Sequence, residues 1–197
     1  MDQSILSPDD FGWIRALQEI SHDVYHFPQY ARLCAKMEGG IARAFLATSG
    51  GARLFLPFIM RRVPSNLTTD KTIYDVTTPY GYPGPLVSYA TGTDNAERDR
   101  FLADALAAFV GGLRTEGVVA GFFRLHPLFP LDNTALERFG SVTQSGQTVA
   151  IDLSLPDDQI WRQMRANHRR DVAKAIARGI VAEVDGTWTH LPAFQQA

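Results

Sequence analysis

The sequence predicts an α/β fold of the α+β kind: a mixed, largely antiparallel central sheet flanked by helices. Three observations predict it. Residues 41–63 read as two β-rich runs, IARAFLAT and ARLFLPFIMRRV, around a Ser-Gly-Gly turn, which is an antiparallel hairpin. Residues 93–117 place Phe101, Leu102, Ala105, Leu106, Phe109 and Leu113 at helical spacing, and a β-rich run follows, which makes this helix a crossover between strands. Helix-like and strand-like segments then alternate to the last residue.

Taken in order, SPDDFGWIRALQEI begins with Ser7 as a cap and Pro8 at the first helical position, predicting a helix to about Ile20. SHDVYHF is a polar-aromatic loop. Pro28 opens a second helix, PQYARLCAKMEG, stopped by Gly39 and Gly40. After the hairpin, PSNLTTDKT is a surface loop and IYDVT a short strand. Residues 79–85, PYGYPGP, follow it. Three prolines, two glycines and two tyrosines in this run make neither a helix nor a good strand. Beyond the 93–117 helix, VVAGFFRLHPL is a nearly continuous apolar run, expected to be a central strand buried on both faces. LDNTALERFG predicts a short helix and SVTQSGQTVAIDLS a strand or hairpin. LPDDQIWRQMRANHRRDVAKAIARG predicts one long helix, with Ser154 and Asp157 as its capping box and Gly179 as its stop. IVAEVD predicts a last strand. THLPAFQQA, with Thr189 as a cap and Pro192, resembles the first turns of a helix.

Composition bounds the function. A chain of 197 residues can bury a real core. A net charge of −2 leaves no global footprint for nucleic acid, so any basic site is local, and no DNA partner is expected. The single Cys34 excludes an internal disulfide framework and a thiolate metal cluster, and fits a reducing compartment. The N-terminus has no apolar signal region, and no uncharged apolar run reaches the ~18 residues of a membrane span. The expected location is cytoplasmic.

Few motifs carry chemistry. On the 157–178 helix, Arg162, Arg165 and Arg169 line one stripe and Arg170, Lys174 and Arg178 another, with Trp161, Met164, Val172 and Ala175 between them. That pattern fits a solvated amphipathic helix or an anion site for phosphate, pyrophosphate or RNA backbone, which the planar fork of arginine suits. His168 falls in the apolar stripe and reads as a core histidine. Cys34 reads as a small core residue. His22 and His26 are four apart but lack a third ligand, so no metal is expected. Arg124 stands in an apolar strand and needs a partner or a pocket there. The chain has no G-x-S-x-G, no P-loop, no G-x-G-x-x-G and no R/Q-x-x-G-x-G/A loop for acetyl-CoA. No residue is nominated as catalytic.

Three features in order carry a family resemblance: YHFPQYARL, YDVTTPYGYPGPLVS and AIDLSLPDDQIWRQMRANHRRDVAKAIARG. Over residues 25–184 the chain resembles the GNAT-like Fem-type superfamily, the peptidoglycan interpeptide-bridge aminoacyltransferases and their acyltransferase relatives. The resemblance implies a GNAT-like first, acceptor-binding subdomain over residues 1–184. It makes 185–197 the start of a truncated second subdomain or a linker, which agrees with the abrupt end of the last helical pattern. It implies that TTPYGYPGP lines an acceptor cleft through Tyr80, Tyr82 and Gly84, and that Arg169, with Arg165 beside it, holds a pyrophosphate. The family's early-helix lysine aligns near Cys34, with Arg32 and Lys36 on either side. The family's Arg-Gly-Pro is replaced by Tyr82-Pro83-Gly84-Pro85, which implies a different acceptor.

The activity so implied is amide formation on an amine of a phosphorylated cell-wall or envelope precursor, a small molecule or muropeptide. No bound cofactor is implied; aminoacyl-tRNA or an acyl thioester is the donor, so tRNA is an implied partner. One alternative is an acyl-thioester-dependent N-acyltransferase of lipid, exopolysaccharide or amino-acid-conjugate synthesis. Another is a non-catalytic binding or assembly module that dimerises or pairs with another half. The tyrosines of the stiff loop are either packing pieces or groups held out for a ligand.

Overall fold

The structure is a computed structural model that describes residues 1–64, 66 and 72–196. The chain forms two units, Met1–Ser145 and Gly146–Ala197. The first is a mixed α+β layer structure. Its sheet runs β1 (Asp2–Leu6), β2 (Ile41–Ser49), β3 (Ala52–Arg62), β4 (Tyr74–Thr77) and β6 (Val118–Phe122), with β5 (Leu86–Ser88) also paired to β3. All neighbours are antiparallel except β4 and β6, which are parallel.

β3 organises the sheet. Leu54, Leu56, Phe58 and Met60 point to one face, where they pack with Phe101, Leu102, Leu106 and Phe109 of α3 (Asn95–Thr115) and Ala135 of α4 (Asn133–Glu137). Phe55 and Ile59 point to the other, against Trp13 and Leu17 of α1 (Phe11–Gln18) and Ala31, Cys34 and Ala35 of α2 (Pro28–Glu38). Period-2 alternation thus feeds two cores from one strand. The β2–β3 turn is Gly50-Gly51, with φ of 57° and 83°, the positive pair that a tight hairpin turn requires.

One edge of β3 is shared. β5 pairs with Arg53–Phe55 and β4 with Ile59–Arg62, so neither covers 56–58. Pro57, which has no N–H for a ladder, sits in that uncovered stretch. The chain between β4 and β5 is the PYGYPGP run, and it spans this gap.

Several expectations are corrected. The N-terminal residues form an edge strand, β1, that the sequence reading did not foresee. Ser7 starts a turn closed by Asp10 N–H to the Ser7 carbonyl at 3.1 Å, and the helix begins at Phe11 rather than at Pro8. SHDVYHF contains a 3₁₀ turn, Val24–His26. VVAGFFRLHPL is not central: β6 lies at the end of the sheet, and Val119 and Phe122 are exposed. The central place falls to β3, whose longer run is apolar on both faces. The surface loop expected at 64–72 lies largely outside the described residues.

The second unit carries α5 (Asp157–Gln163), α6 (Ala166–Ala177) and α7 (Leu191–Gln196). Residues 141–154 and 180–185, expected as strands, form none. A strand-like pattern needs a neighbour to bond, and no described residue of either segment is paired in a sheet. The long 157–178 helix is two helices. Met164 and Arg165 adopt extended ψ values of 141° and 143° between them. Ser154 does not cap α5, which Pro156 precedes; its hydroxyl instead donates to Asp152 at 2.6 Å. Gly179, with φ 74°, ends α6 region as expected. No described residue of this unit is buried, so no packed face holds the two short helices in line.

Candidate functional site: a pinned aromatic loop and Arg124

The loop from Thr77 to Leu86 is rooted in the core. Thr77, Thr78, Pro79, Pro83, Gly84 and Pro85 are buried. The Thr78 N–H donates to the Phe122 carbonyl at 3.1 Å, and Thr78 Oγ1 accepts the Arg124 N–H at 3.2 Å, which stitches the loop to the chain leaving β6. Gly84 packs so closely on this segment that a Cβ there would lie 2.7 Å from the His126 nitrogen. Gly81 has φ 89°, and a Cβ there would meet the Tyr25 ring at 2.3 Å. Both glycines are therefore required by close approach, and Gly84 lines no open surface.

Beneath the loop lies a polar clasp that sequence reasoning missed. His26 is fully buried and donates from Nε2 to the Gly84 carbonyl at 3.2 Å. That carbonyl can only accept, so Nε2 carries a proton; Nδ1 lies 3.3 Å from the Asp23 nitrogen and 3.0 Å from Asp23 Oδ1. Burial, the main cause, holds the His26 pKa below its ordinary value, against the pull of Asp23. His126 Nδ1 accepts the N–H groups of Leu128 and Phe129 at 3.0 and 3.2 Å, so its proton also sits on Nε2, which donates to Asp23 Oδ2 at 2.6 Å. Asp23 Oδ1 accepts the Tyr25 N–H at 2.9 Å. An Asp–His pair suggests acid–base chemistry, but the nitrogen that would act as base here is occupied by two backbone donors. The pair is a structural clasp joining residues 23–26, 84 and 126. The His26 and Asp23 spacing, read as a local loop, gave no sign of a partner as distant as His126.

Above the clasp the loop displays rings. Tyr80 is 69% exposed and Tyr82 39%. Tyr25 stands edge-on to both Tyr30 and Tyr82, with centroids 5.4 and 6.0 Å apart. Tyr30 donates to the Tyr80 carbonyl at 3.2 Å. Its pKa is pushed up to about 12 by burial first and Cys34 second, so it remains a phenol and a donor at neutral pH. The guanidinium carbon of Arg124 lies 5.6 Å from the centroid of Tyr80 and 5.1 Å from that of Phe122. Tyr80, Tyr82 and Arg124 thus share one aromatic surface, and Tyr25, Tyr30 and Phe122 belong to it though the sequence did not nominate them.

The other nominated residues belong to α2 or to the second unit. Arg32 and Lys36 are exposed on α2, and Arg32 pairs with Asp9. Arg169 Nη1 donates to the carbonyls of Arg162 and Met164, where it satisfies acceptors left by the break after α5. Arg165 is exposed at the N-terminus of α6. His168 is exposed rather than part of a core, because α6 has none to join. Cys34 is buried in α2, as a small core residue should be. A depression of about 360 Å³ lies by the opposite end of β4, lined by Ile41, Arg43, Met60, Arg62, Tyr74 and Glu116; an Arg43–Glu116 ion pair at 2.5 Å crosses its rim. Among the described residues no group of three His, Cys, Asp or Glu is placed to hold a metal, and no helix is long and apolar enough to cross a membrane.

Comparison of the chain with protein-family models, with curated proteins and with solved structures finds no match.

Proposed function

We propose that this chain is the acceptor-binding half of a GNAT-fold acyl- or aminoacyltransferase, forming an amide on an amine of a phosphorylated envelope or cell-wall precursor. The observation that carries the reading is the loop of residues 77–86. Its ends are buried and bonded, and it presents Tyr80 beside Arg124 and Tyr82 beside Tyr25 on a backbone with little entropy left to lose on binding. The motif resemblance named the same stretch as an acceptor-cleft wall.

Such a transfer requires no protein nucleophile. It requires an amine held next to an activated ester or thioester and a route for the proton. In this reading the tyrosine faces position the acceptor, and Tyr30, protonated at neutral pH, holds the Tyr80 carbonyl rather than removing a proton. The donor, an aminoacyl-tRNA or acyl thioester, and the group that takes the proton belong to the remainder of the enzyme. The test is calorimetric titration of a UDP-linked muropeptide, or another phosphorylated amine, into the chain. Saturable binding supports the acceptor role, and absence of binding to every phosphorylated amine tried would remove it.

A second reading has its own support. Ile176, Val181, Val184, Trp188 and Phe194 of the second unit are all exposed. A module that pairs with another half, or with a second copy of itself, would cover such side chains. Sedimentation separates the two: a strict monomer that nonetheless binds acceptor favours the transferase half.

A further inference from the structure

We infer that Arg124 is the anchor for an oxyanion, a carboxylate or phosphate carried on a molecule with a flat ring, and that Tyr80 and Phe122 form the walls of this anchor. The inference rests on the reading above only in taking that molecule to be the acceptor.

The argument begins with placement. Arg124 follows β6 directly, and its N–H is fixed to Thr78 Oγ1, so the side chain leaves from a defined point. Its guanidinium lies over two ring faces, at 5.1 and 5.6 Å from their centroids. The donors of a guanidinium all lie in its plane. A guanidinium presents two parallel N–H groups along one edge of its plane, and such an edge on Arg124, beside Tyr80 and Phe122, would suit one planar oxyanion.

Charge balance points the same way. Arg43, Arg53 and Arg61 of the same unit each meet a carboxylate, whereas Arg98, half-buried over the Tyr89 ring, meets none among the described residues but lacks the pair of exposed rings that flanks Arg124. Arg124 is half-buried, and among the described residues its guanidinium meets none. A cation drawn from water onto apolar rings without a counter-ion is a group waiting for one. The two rings supply the second half of the recognition, since Tyr80 is 69% and Phe122 60% exposed. They offer flat apolar area next to the charge, which suits an aryl or heterocyclic group attached to the anion. A polynucleotide fits less well, because the cluster holds a single guanidinium and the chain carries a net charge of −2.

The test uses the full chain, with phenyl phosphate, benzoate and inorganic phosphate as probes. The readout is the Nε–Hε resonance of Arg124, with binding constants from the same titrations. Phenyl phosphate or benzoate is expected to shift that resonance saturably, and inorganic phosphate to bind more weakly than phenyl phosphate. The stronger of the two aryl probes identifies the anion. Arg124→Gln should weaken binding at least about tenfold, as loss of a bidentate charged contact does. Arg124→Lys should recover only part, and Tyr80→Ala should weaken phenyl phosphate while sparing inorganic phosphate. Arg169→Gln should change nothing. Absence of any saturable shift at ~10 mM probe overturns the inference, as does unchanged affinity in Arg124→Gln. An oligonucleotide that binds in preference to both aryl probes also overturns it. If phenyl phosphate binds through Arg124 but no phosphorylated amine competes with it, the anion anchor stands and the transferase reading falls.

Discussion

Replacing Gly84 by alanine should loosen the loop that carries the aromatic surface. Gly84 has no positive φ, so backbone strain does not enter, and a restricted unfolded state alone would stabilise the variant by about 0.5 kcal/mol. Packing opposes this. The new methyl would lie 2.7 Å from the His126 nitrogen, 2.9 Å from Leu125 Cα and 3.1 Å from the Arg124 carbonyl oxygen. All three are backbone atoms, and none swings aside as a flexible side chain does. The loop must lift, at about 1–3 kcal/mol for overpacking. Lifting pulls the Gly84 carbonyl from His26 Nε2 and leaves a buried polar pair unmade, about 1–3 kcal/mol more. The net expectation is a loss of about 2–5 kcal/mol. With a urea slope of ~2 kcal/mol per molar, the midpoint falls by about 1–2.5 M. The assay is urea unfolding followed by Trp13 fluorescence in a Trp161→Phe, Trp188→Phe background, because Trp13 reports the first unit and is fully buried there. A midpoint within about 0.3 M of the parent would refute the reasoning, since it would mean that the loop is not clamped between the clasp and the 124–126 segment.

The same clasp makes stability depend on pH. Burial depresses the His26 pKa, so the folded chain binds fewer protons than the unfolded chain. Its contribution is complete above the unfolded value near 6.5 and declines as pH falls from there towards the folded value. Urea midpoints at pH 7.5, 6.0 and 5.0 should fall with acidity, and fall less steeply in His26→Gln; equal slopes would exclude His26 as the source. Arg61 donates to Asp75 through Nε and Nη2 at 2.9 and 2.8 Å and to Glu38 through Nη1 at 2.6 Å, with all three side chains about one-third exposed. Discounted for solvent screening, Arg61→Ala should lose about 1–2 kcal/mol, and 1 M salt should narrow the difference from the parent. Gly81→Ala should leave most of the core intact but displace the Tyr25 ring from Tyr82, which the amide and aromatic resonances of those residues would record.

What was legible in the sequence is what local chemistry decides. Pro28 and Gly39 bracket α2, the glycine pair closes the β2–β3 hairpin, and α3 follows its apolar spacing. What was not legible depends on partners. VVAGFFRLHPL is apolar enough for a central strand, yet β6 ends the sheet because β3 pairs on both edges. The DQSIL segment has little apolar character and becomes a strand through β2. Residues 147–153 and 180–184 have strand-like composition, but none of them is paired in a sheet. The site divides in the same way. PYGYPGP and Arg124 could be singled out by composition, whereas their meeting depends on the parallel register that sets Thr77 opposite Phe122. Arg169 illustrates the reverse: its charge is plain in the sequence, but the helix break that turns its Nη1 onto two backbone carbonyls is announced by no residue pattern.

The most direct test of the central claim is calorimetric titration of a UDP-linked muropeptide, or another phosphorylated amine, into the wild-type chain, Arg124→Gln and Arg169→Gln. The account predicts saturable binding by the wild type, at least about tenfold weaker binding by Arg124→Gln, and no change in Arg169→Gln. Equal binding by wild type and Arg124→Gln, or loss confined to Arg169→Gln, would contradict it.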